Sequence, residues 1–335
     1  MFSAEYLAGL GSSLDIIGQM AALVLLGYLM TRRGWIGPGT LSDLTRVLID
    51  LVLPCTFILA MARAFTPEFF GSGAVLAAVS AGWVVAAWLF GTVWFRLLPS
   101  GHPSKDRSVT AMMMVSNSLY LPLPVMLAVT PEALHDRAVV YISMIAVPSI
   151  IANWTAGVAL LSGGPRPASG ERLKLLLNAP ILSLFAGMLL SFVPGVREAA
   201  LGEPGAFVPA RALFSVMEYL GRILSPLAMI ILGGMIASGR NAGRVRLRFS
   251  VPLIAVRLVL IPGAVYLLVT RITTGLPPLA LTALLLAAAA PPATNHALIA
   301  RRYNGEWELV SKLQMLVHAA ALLTLPLWLS LGLGF

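Results

Sequence analysis

The sequence has little charge and almost no cysteine. Only 11% of its 335 residues are charged, against about 25% in an average soluble domain. Cys55 is the only cysteine, which excludes an intrachain disulfide and a cysteine metal cluster. Because 58% of the residues are hydrophobic and the mean hydropathy is +0.88, the chain could not cover its surface with polar groups in water. The composition therefore predicts a protein that lies in the lipid bilayer.

Motifs of catalysis and of targeting are also missing. No H-E-x-x-H, G-x-S-x-G or C-x-x-C pattern occurs, and the three lysines lie outside any phosphate-loop pattern. We therefore expect no enzyme activity and no cofactor. Residues 1–13 contain no Lys or Arg, which argues against a cleaved signal peptide. The net charge is +9, and nearly all Lys and Arg residues lie between apolar stretches. This distribution indicates that they orient the chain in the membrane rather than bind nucleic acid.

The apolar residues form long continuous runs, which predict membrane-spanning helices rather than barrel strands. Each run has about 20 residues, the length that crosses a bilayer. The runs, named segments one to ten, lie at 14–31, 41–62, 72–97, 108–129, 138–162, 174–193, 213–238, 250–270, 278–300 and 309–332. We expect an all-α polytopic membrane protein with about ten transmembrane helices.

Basic residues are distributed unequally between alternate connections. One set of connections holds fourteen, and the other holds five. The richer set contains Arg32, Arg33, Arg96, Lys105, Arg107, Arg166, Arg172, Lys174, Arg240, Arg244, Arg246, Arg248, Arg301 and Arg302, and the poorer set contains Arg63, Arg137, Arg197, Arg211 and Arg271. Because basic loops stay in the cytoplasm, this bias predicts an inner-membrane protein with both termini in the periplasm.

Prolines recur at matching places in the two halves of the chain. Segments two and seven carry Pro54 and Pro226, and segments four and nine carry Pro122, Pro124, Pro291 and Pro292. Five segments per half is an odd number, so the second copy must be inverted. The pattern predicts two inverted five-helix repeats, 1–162 and 174–335, as in many secondary transporters. A chance match is the alternative, because proline is common in membrane helices.

Segments four and nine also carry the polar residues that indicate a substrate site. Proline lacks an N–H group and clashes with the preceding turn, so both helices are predicted to open. Open backbone at membrane depth lines a cavity or finds polar partners. Amide groups and half-helix N-termini would suit an anion there, although the asparagines could instead only cap the broken backbone. The candidates are Ser116, Asn117, Ser118, Tyr120, Pro122, Pro124, Pro291, Pro292, Thr294, Asn295 and His296.

Charged residues inside the segments complete the set of candidates. Arg257 lies in the middle of segment eight, where a charge is costly, so it is a candidate counter-charge for an anionic substrate. Snorkelling, or pairing with a helix C-terminus, is the alternative. Two groups at helical spacing predict structural ion pairs, with proton coupling as the alternative. They are Asp43, Arg46 and Asp50 in segment two, and Glu218 and Arg222 in segment seven.

Four stretches of the sequence resemble the auxin efflux carrier, or PIN-like, family of the bile-acid/sodium symporter superfamily. The first two are Leu53-Pro54 and the run from Asn117 to Pro124. The third is the run from Leu224 to Gly233. The last comprises Pro291 to Asn295, Ala300, Tyr303 and Gly305, closed by Leu325-Pro326-Leu327. The resemblance covers almost the whole chain.

The resemblance implies an elevator-type carrier of small organic anions, such as auxins or small carboxylates. Segments one, two, six and seven would form the scaffold, and segments three to five and eight to ten the mobile domain. Segments four and nine would cross in that mobile domain. Asn117 and Asn295 match the asparagines that bind the substrate carboxylate in the family. A homodimer is one arrangement open to such a carrier.

The sequence departs from the family pattern at Leu119 and Pro122, where glycines are usual. Segments three, four, five, eight and nine contain no internal carboxylate, which argues against coupling through an acid of the mobile domain. Arg257 could replace a coupling cation with a fixed charge. A membrane receptor or assembly protein of the same fold that does not transport is the alternative function.

Overall fold

The computed structural model describes residues 4–163, 179–238, 246–271 and 275–334. This part of the chain contains helices and no strand, as predicted. Six of its helices are long and apolar enough to cross a membrane, namely Pro38–Ala64, Gly71–Leu97, Glu132–Leu161, Val208–Ser238, Leu247–Arg271 and Trp307–Gly332. They correspond to segments two, three, five, seven, eight and ten. Segment one lies in the helix Ala4–Arg32.

The remaining segments are shorter or divided. Segment four consists of the helices Pro103–Met114 and Pro122–Val129, and segment nine of Pro278–Ala288 and His296–Arg302. The described helix of segment six is Ala179–Leu190, and the short helix Val196–Leu201 follows it. Breaks in segments four and nine are therefore confirmed. The count of ten spans stays a prediction.

Prolines mark where many of the helices begin. Pro38, Pro67, Pro103, Pro122 and Pro278 each lie at the first positions of a helix. The first turn of a helix leaves its N–H groups without intrahelical partners, so proline costs nothing there and its fixed φ favours the helix. Proline thus lies at the N-terminus of several helices, and it also interrupts segments four and nine in the middle.

Segments one and seven pack face to face because glycine removes the side chain between them. A Cβ atom at Gly233 would overlap the main-chain carbonyl of Val24, and one at Gly27 would overlap that of Ile230. Small residues allow such close backbone contact between membrane helices. Segments two and six meet similarly, where a Cβ at Gly187 would lie 2.8 Å from the Cα of Ile58.

The remaining contacts show which segments pack against each other. Segment two packs on segments five, six and seven, and segment three packs on segments four and five. Segment nine packs on segment ten and also on segment five of the first half. The break in segment four and the break in segment nine therefore meet in the middle of one packed group of helices.

Candidate substrate-binding site

The broken stretches of segments four and nine cross each other and pair through their main chains. The main-chain N–H of Asn117 donates to the carbonyl of Pro291 at 2.7 Å, and that of Ala293 donates to the carbonyl of Val115 at 3.2 Å. Ser116 faces Pro292 in an antiparallel bridge. Each stretch thus satisfies main-chain groups that the other leaves open, as buried backbone at membrane depth requires. We call this pairing the crossover.

A cavity of about 220 Å³ adjoins the crossover. This is smaller than the roughly 300–1,000 Å³ of pockets for drug-sized ligands, so it suits a small molecule. Segments two, four, five, six and nine all contribute to its wall. The lining residues are Ile49, Val115, Ser116, Asn117, Ser118, Leu119, Tyr120, Ser149, Ile150, Asn153, Trp154, Pro180, Ala293 and Asn295.

The Asn117 side chain is oriented by the turn that follows it. Its Oδ1 accepts the main-chain N–H of Tyr120 at 3.2 Å, so the acceptor end of the amide is occupied. Its Nδ2 has no hydrogen-bond partner among the described residues. A main-chain nitrogen can only donate in this pair, so the donor end of Asn117 is the end left for a ligand.

Asn295 is oriented in the same sense by a residue of segment five. Its Oδ1 accepts a hydrogen bond from Nδ2 of Asn153 at 3.2 Å. Within the described residues, Nδ2 of Asn295 is without a hydrogen-bond partner. Both asparagines of the crossover thus have their oxygens engaged by the protein and their NH₂ groups available. A ligand that only accepts hydrogen bonds, such as a carboxylate, matches this arrangement.

Three further polar atoms of the cavity wall are buried. They are the hydroxyls of Ser116 and Ser149 and the Oδ1 of Asn153, and none has a hydrogen-bond partner in the described part of the chain. A buried polar group without a partner costs about 1–3 kcal/mol. The two hydroxyls can donate to a ligand and so offset this cost, whereas Oδ1 of Asn153 can only accept a hydrogen bond.

Wide π-helical turns occur at three places near the crossover. They span Leu48–Val52 in segment two, Asn153–Gly157 in segment five and Ala255–Leu260 in segment eight. Such turns shift the register of a helix and are frequent at functional sites. Two of them supply the cavity residues Ile49 and Asn153.

The structure brings only some of the predicted site residues to the cavity. Ser116, Asn117, Ser118, Tyr120 and Asn295 line it. Another seven lie in or behind the crossover without lining it, namely Pro122, Pro124, Arg257, Pro291, Pro292, Thr294 and His296. Thr294 uses its main-chain carbonyl to accept Nε2 of Gln314 at 2.7 Å. The prolines shape the backbone, because they open both helices and allow the pairing.

Arg257 is fully buried behind the crossover. Its NH2 group donates to the carbonyl of Ala290 at 2.7 Å and to that of Ala288 at 3.3 Å, where the first helix of segment nine ends. Pairing with a helix C-terminus is the alternative role that the sequence predicts for Arg257, and this contact is of that kind. A direct contact with substrate stays a prediction, and the geometry gives Arg257 a capping role.

Two histidines lie near Arg257 in the second half of the chain. His296 and His318 are both buried, and His296 interacts electrostatically with Arg257 and with His318. Nδ1 of His318 lies 2.7 Å from the carbonyl of Gln314. Since a carbonyl can only accept, Nδ1 of His318 carries a proton and donates this hydrogen bond.

Ion pairs connect segments at the end of the bundle opposite the cavity. Arg63, in the last turn of segment two, contacts Glu218 of segment seven at 2.6 Å and Asp136 of segment five at 3.8 Å. The predicted pair of Glu218 with Arg222 is confirmed at 3.0 Å. In segment two, Arg46 pairs with Asp50 at 3.5 Å, as predicted, but both side chains are largely exposed. Helix spacing thus identified the pairs of Arg46 with Asp50 and of Glu218 with Arg222. Among the described residues Asp43 forms no ion pair, and the Arg63 network was not predicted.

A larger cleft of about 570 Å³ lies between segments six and seven, away from the crossover. Its wall runs from Pro194 to Val196 and from Glu203 to Phe207, and also includes Glu198. The charged side chains of this wall are both acidic, so they would repel an anion. The crossover cavity is the better candidate for the site.

Comparison with protein families identifies the family of the chain. The model of the membrane transport protein family matches residues 16–170 and 170–329, which is nearly the whole chain. The chain belongs to the membrane transport protein family. This family includes the auxin efflux carriers, so the resemblance seen in the sequence is confirmed, and it is a family of transporters rather than enzymes. No curated protein matches the chain.

The cavity of this transporter is also lined by residues that the sequence analysis missed. Asn153 holds Asn295 and lines the cavity, and Ser149 lies one turn earlier on the same helix. Ile49, Trp154 and Pro180 complete the wall from segments two, five and six. An asparagine inside the apolar stretch Ile150 to Trp154 is itself a signal, because polar residues inside membrane segments tend to be functional.

Proposed function

We propose that this membrane transporter moves a small organic anion, with its carboxylate held by the amide groups of Asn117 and Asn295. The observation that carries the proposal is the orientation of these side chains. Their oxygens are engaged by Tyr120 and Asn153, which leaves two NH₂ donors beside the cavity. An ammonium group could accept from neither donor, whereas a carboxylate has two charged oxygens and accepts from both.

The transport mechanism we propose is of the elevator type. Segments three to five and eight to ten form the moving domain, and segments one, two, six and seven form the scaffold. The packing supports this division, because segments one and seven interlock through Gly233 and segments two and six through Gly187. The cavity lies between the groups, since Ile49 and Pro180 come from the scaffold and most other lining residues come from the moving domain.

The two repeats, 1–162 and 174–335, are proposed to be inverted copies that place the crossover near the bilayer midplane. With both termini in the periplasm of an inner-membrane protein, Asn153 and Pro180 lie toward the cytoplasmic ends of their segments. The Arg63 network lies at the opposite, periplasmic ends. The described conformation then has its cavity on the cytoplasmic side and a closed periplasmic side.

Transport in liposomes tests this proposal. Purified protein would be reconstituted and the uptake of radiolabelled lactate, malate and indole-3-acetate measured over a range of concentrations. We expect saturable uptake of at least one probe, and its loss in a variant with Asn117→Ala and Asn295→Ala. Thr155→Ala is the matched control, because that hydroxyl bonds within its own helix to Ile151. Unsaturable uptake, or normal uptake by the double variant, would contradict the proposal.

A further inference from the structure

Arg257 is the one charged side chain placed deep inside segments three to five and eight to ten. The other charges in these segments, Arg96 and Lys312, lie close to a segment end. The carboxylates Asp106, Glu132, Asp136, Glu306 and Glu308 likewise lie at or beyond the ends of their segments. Charges at the ends stay near water, so they cross little of the membrane field. Arg257 is fully buried at the centre.

The contacts of Arg257 offset only part of its positive charge. The guanidinium donates to the carbonyls of Ala288 and Ala290 at the end of a helix, whose dipole is equivalent to roughly half a negative charge. Its titratable neighbour on segment nine is His296, which in turn interacts with His318 of segment ten. Among the described residues no carboxylate forms an ion pair with Arg257. Its Nε and NH1 also have no hydrogen-bond partner there.

Hydrogen bonds attach this charge to the candidate substrate site. Arg257 binds the carbonyl of Ala290, and the next residue, Pro291, accepts the main-chain N–H of Asn117. The guanidinium and the Asn117 amide are thus joined through a short piece of backbone. Any movement that carries the crossover across the membrane must carry the charge of Arg257 with it.

We infer that Arg257 is the counter-charge that travels with the site and neutralises the charge of a bound monovalent anion. The inference rests on the proposed function. With a monocarboxylate bound, the moving site is electrically neutral at membrane depth. The empty site carries one positive charge, and a site loaded with a dicarboxylate carries one negative charge. Arg257 acts through the field at the crossover, so it is a positioning and charge-setting residue rather than a contact.

Exchange under a clamped potential tests this inference, because only the loaded site moves when probe saturates both faces. Liposomes would hold equal saturating lactate, or equal indole-3-acetate, on both sides, with potassium and valinomycin setting the potential. A unit charge crossing the whole field would shift the inward–outward equilibrium by about 50-fold per 100 mV. We expect wild-type monocarboxylate exchange to change by less than about twofold over this range. Exchange of malate, a dianion at neutral pH, should change several-fold.

Two kinds of variant separate charge from structure. Arg257→Lys keeps the charge and should keep monocarboxylate exchange insensitive to potential, whereas Arg257→Gln should make it sensitive. His296→Glu leaves the arginine in place and adds a compensating charge beside it, so it should also confer sensitivity, with His296→Gln as the neutral control. Each variant must purify as a monodisperse protein.

Potential-sensitive monocarboxylate exchange in the wild type would overturn the inference while leaving the proposed function standing. Insensitive exchange by both folded charge-altering variants, Arg257→Gln and His296→Glu, would overturn it as well. Absence of saturable exchange of every probe in the wild type would instead overturn the proposed function, and the inference with it.

Discussion

The main-chain N–H of Asn117 donates to the carbonyl of Pro291 at 2.7 Å, which joins the two halves of the chain at their broken helices. Proline makes this contact possible on one side, because Pro291 and Pro292 lack N–H groups and interrupt the helix, so the backbone around them is open to a partner. The contact also fixes Asn117 at the edge of the cavity. The main-chain hydrogen bonds of the crossover therefore also position Asn117, the candidate residue for binding the substrate.

Asn153 is predicted to raise substrate affinity indirectly, because its side chain positions Asn295. Asn153→Ala removes the donor to Asn295 Oδ1, and a neutral hydrogen bond is worth about 0.5–1.5 kcal/mol, so affinity should fall by about 2- to 10-fold. Asn153→Asp should weaken binding further, because its carboxylate would repel an anion. Calorimetric titration with lactate, malate and indole-3-acetate measures both effects. Unchanged affinity in both variants would exclude this role for Asn153.

The Arg63 network is predicted to stabilise the protein more than the exposed pair of Arg46. Arg63 is only 18% exposed and bonds Glu218 at 2.6 Å and the carbonyl of Ala200 at 2.7 Å. Hydrogen bonds to charged groups contribute about 1.5–3 kcal/mol, so Arg63→Ala should lower the unfolding temperature clearly.

Arg46→Ala is the matched control, because its 82% exposed pair with Asp50 should contribute only about 0–1 kcal/mol. Thermal unfolding in detergent compares the two variants. Equal melting temperatures would mean that the network contributes no more than an exposed pair.

Gly233 is predicted to be essential for the packing of segments one and seven. In Gly233→Ala the new Cβ would overlap the main chain of Val24, which cannot move aside as a side chain could. Overpacking costs about 1–3 kcal/mol or more, so the variant should unfold at a lower temperature or fail to purify.

Gly82→Ala is the control for this prediction. Nothing lies within 4 Å of the new Cβ there, and alanine is favoured in a helix by about 1 kcal/mol. A Gly233→Ala protein that melts no lower than the Gly82→Ala protein would show that the close approach is not needed.

Part of this arrangement could be predicted from the sequence. Proline chemistry is local, so the breaks at Pro122 and at Pro291 could be located from residue types alone. The pair of Glu218 with Arg222 follows from helical spacing. The hydrogen bond from Asn153 to Asn295 could not be predicted in this way, because the two residues are 142 positions apart and meet only after the helices pack.

Arg257 shows a second limit of the sequence. Its position inside segment eight predicts a partner at membrane depth, and the alternatives included both a substrate and a helix C-terminus. Only the packing of segment eight on segment nine identifies the carbonyls of Ala288 and Ala290 as that partner. The π-helical turn that carries Arg257 has no evident signature in the sequence either.

The orientation in the membrane is predicted from the bias of basic residues between alternate connections. A reporter that fluoresces only in the cytoplasm should give no signal when it is fused after Phe335. The same reporter inserted at Gly101, between segments three and four, should be bright. A bright fusion at Phe335 with a dark insertion at Gly101 would reverse the assigned orientation.

The most direct test of the account compares a carboxylate with its neutral amide. Calorimetric titration would measure indole-3-acetate against indole-3-acetamide, and malonate against malonamide, with wild type, Asn117→Ala, Asn295→Ala and the control Thr110→Ala. Thr110 lies in segment four and bonds only the carbonyl of Asp106 in its own helix. We predict that wild type and the control bind the carboxylate at least about tenfold more tightly than its amide. Each asparagine variant should lose about 10- to 100-fold of the carboxylate affinity, because each removes a hydrogen bond to a charged group. Equal affinity for carboxylate and amide in the wild type, or wild-type affinity in both asparagine variants, would contradict the account.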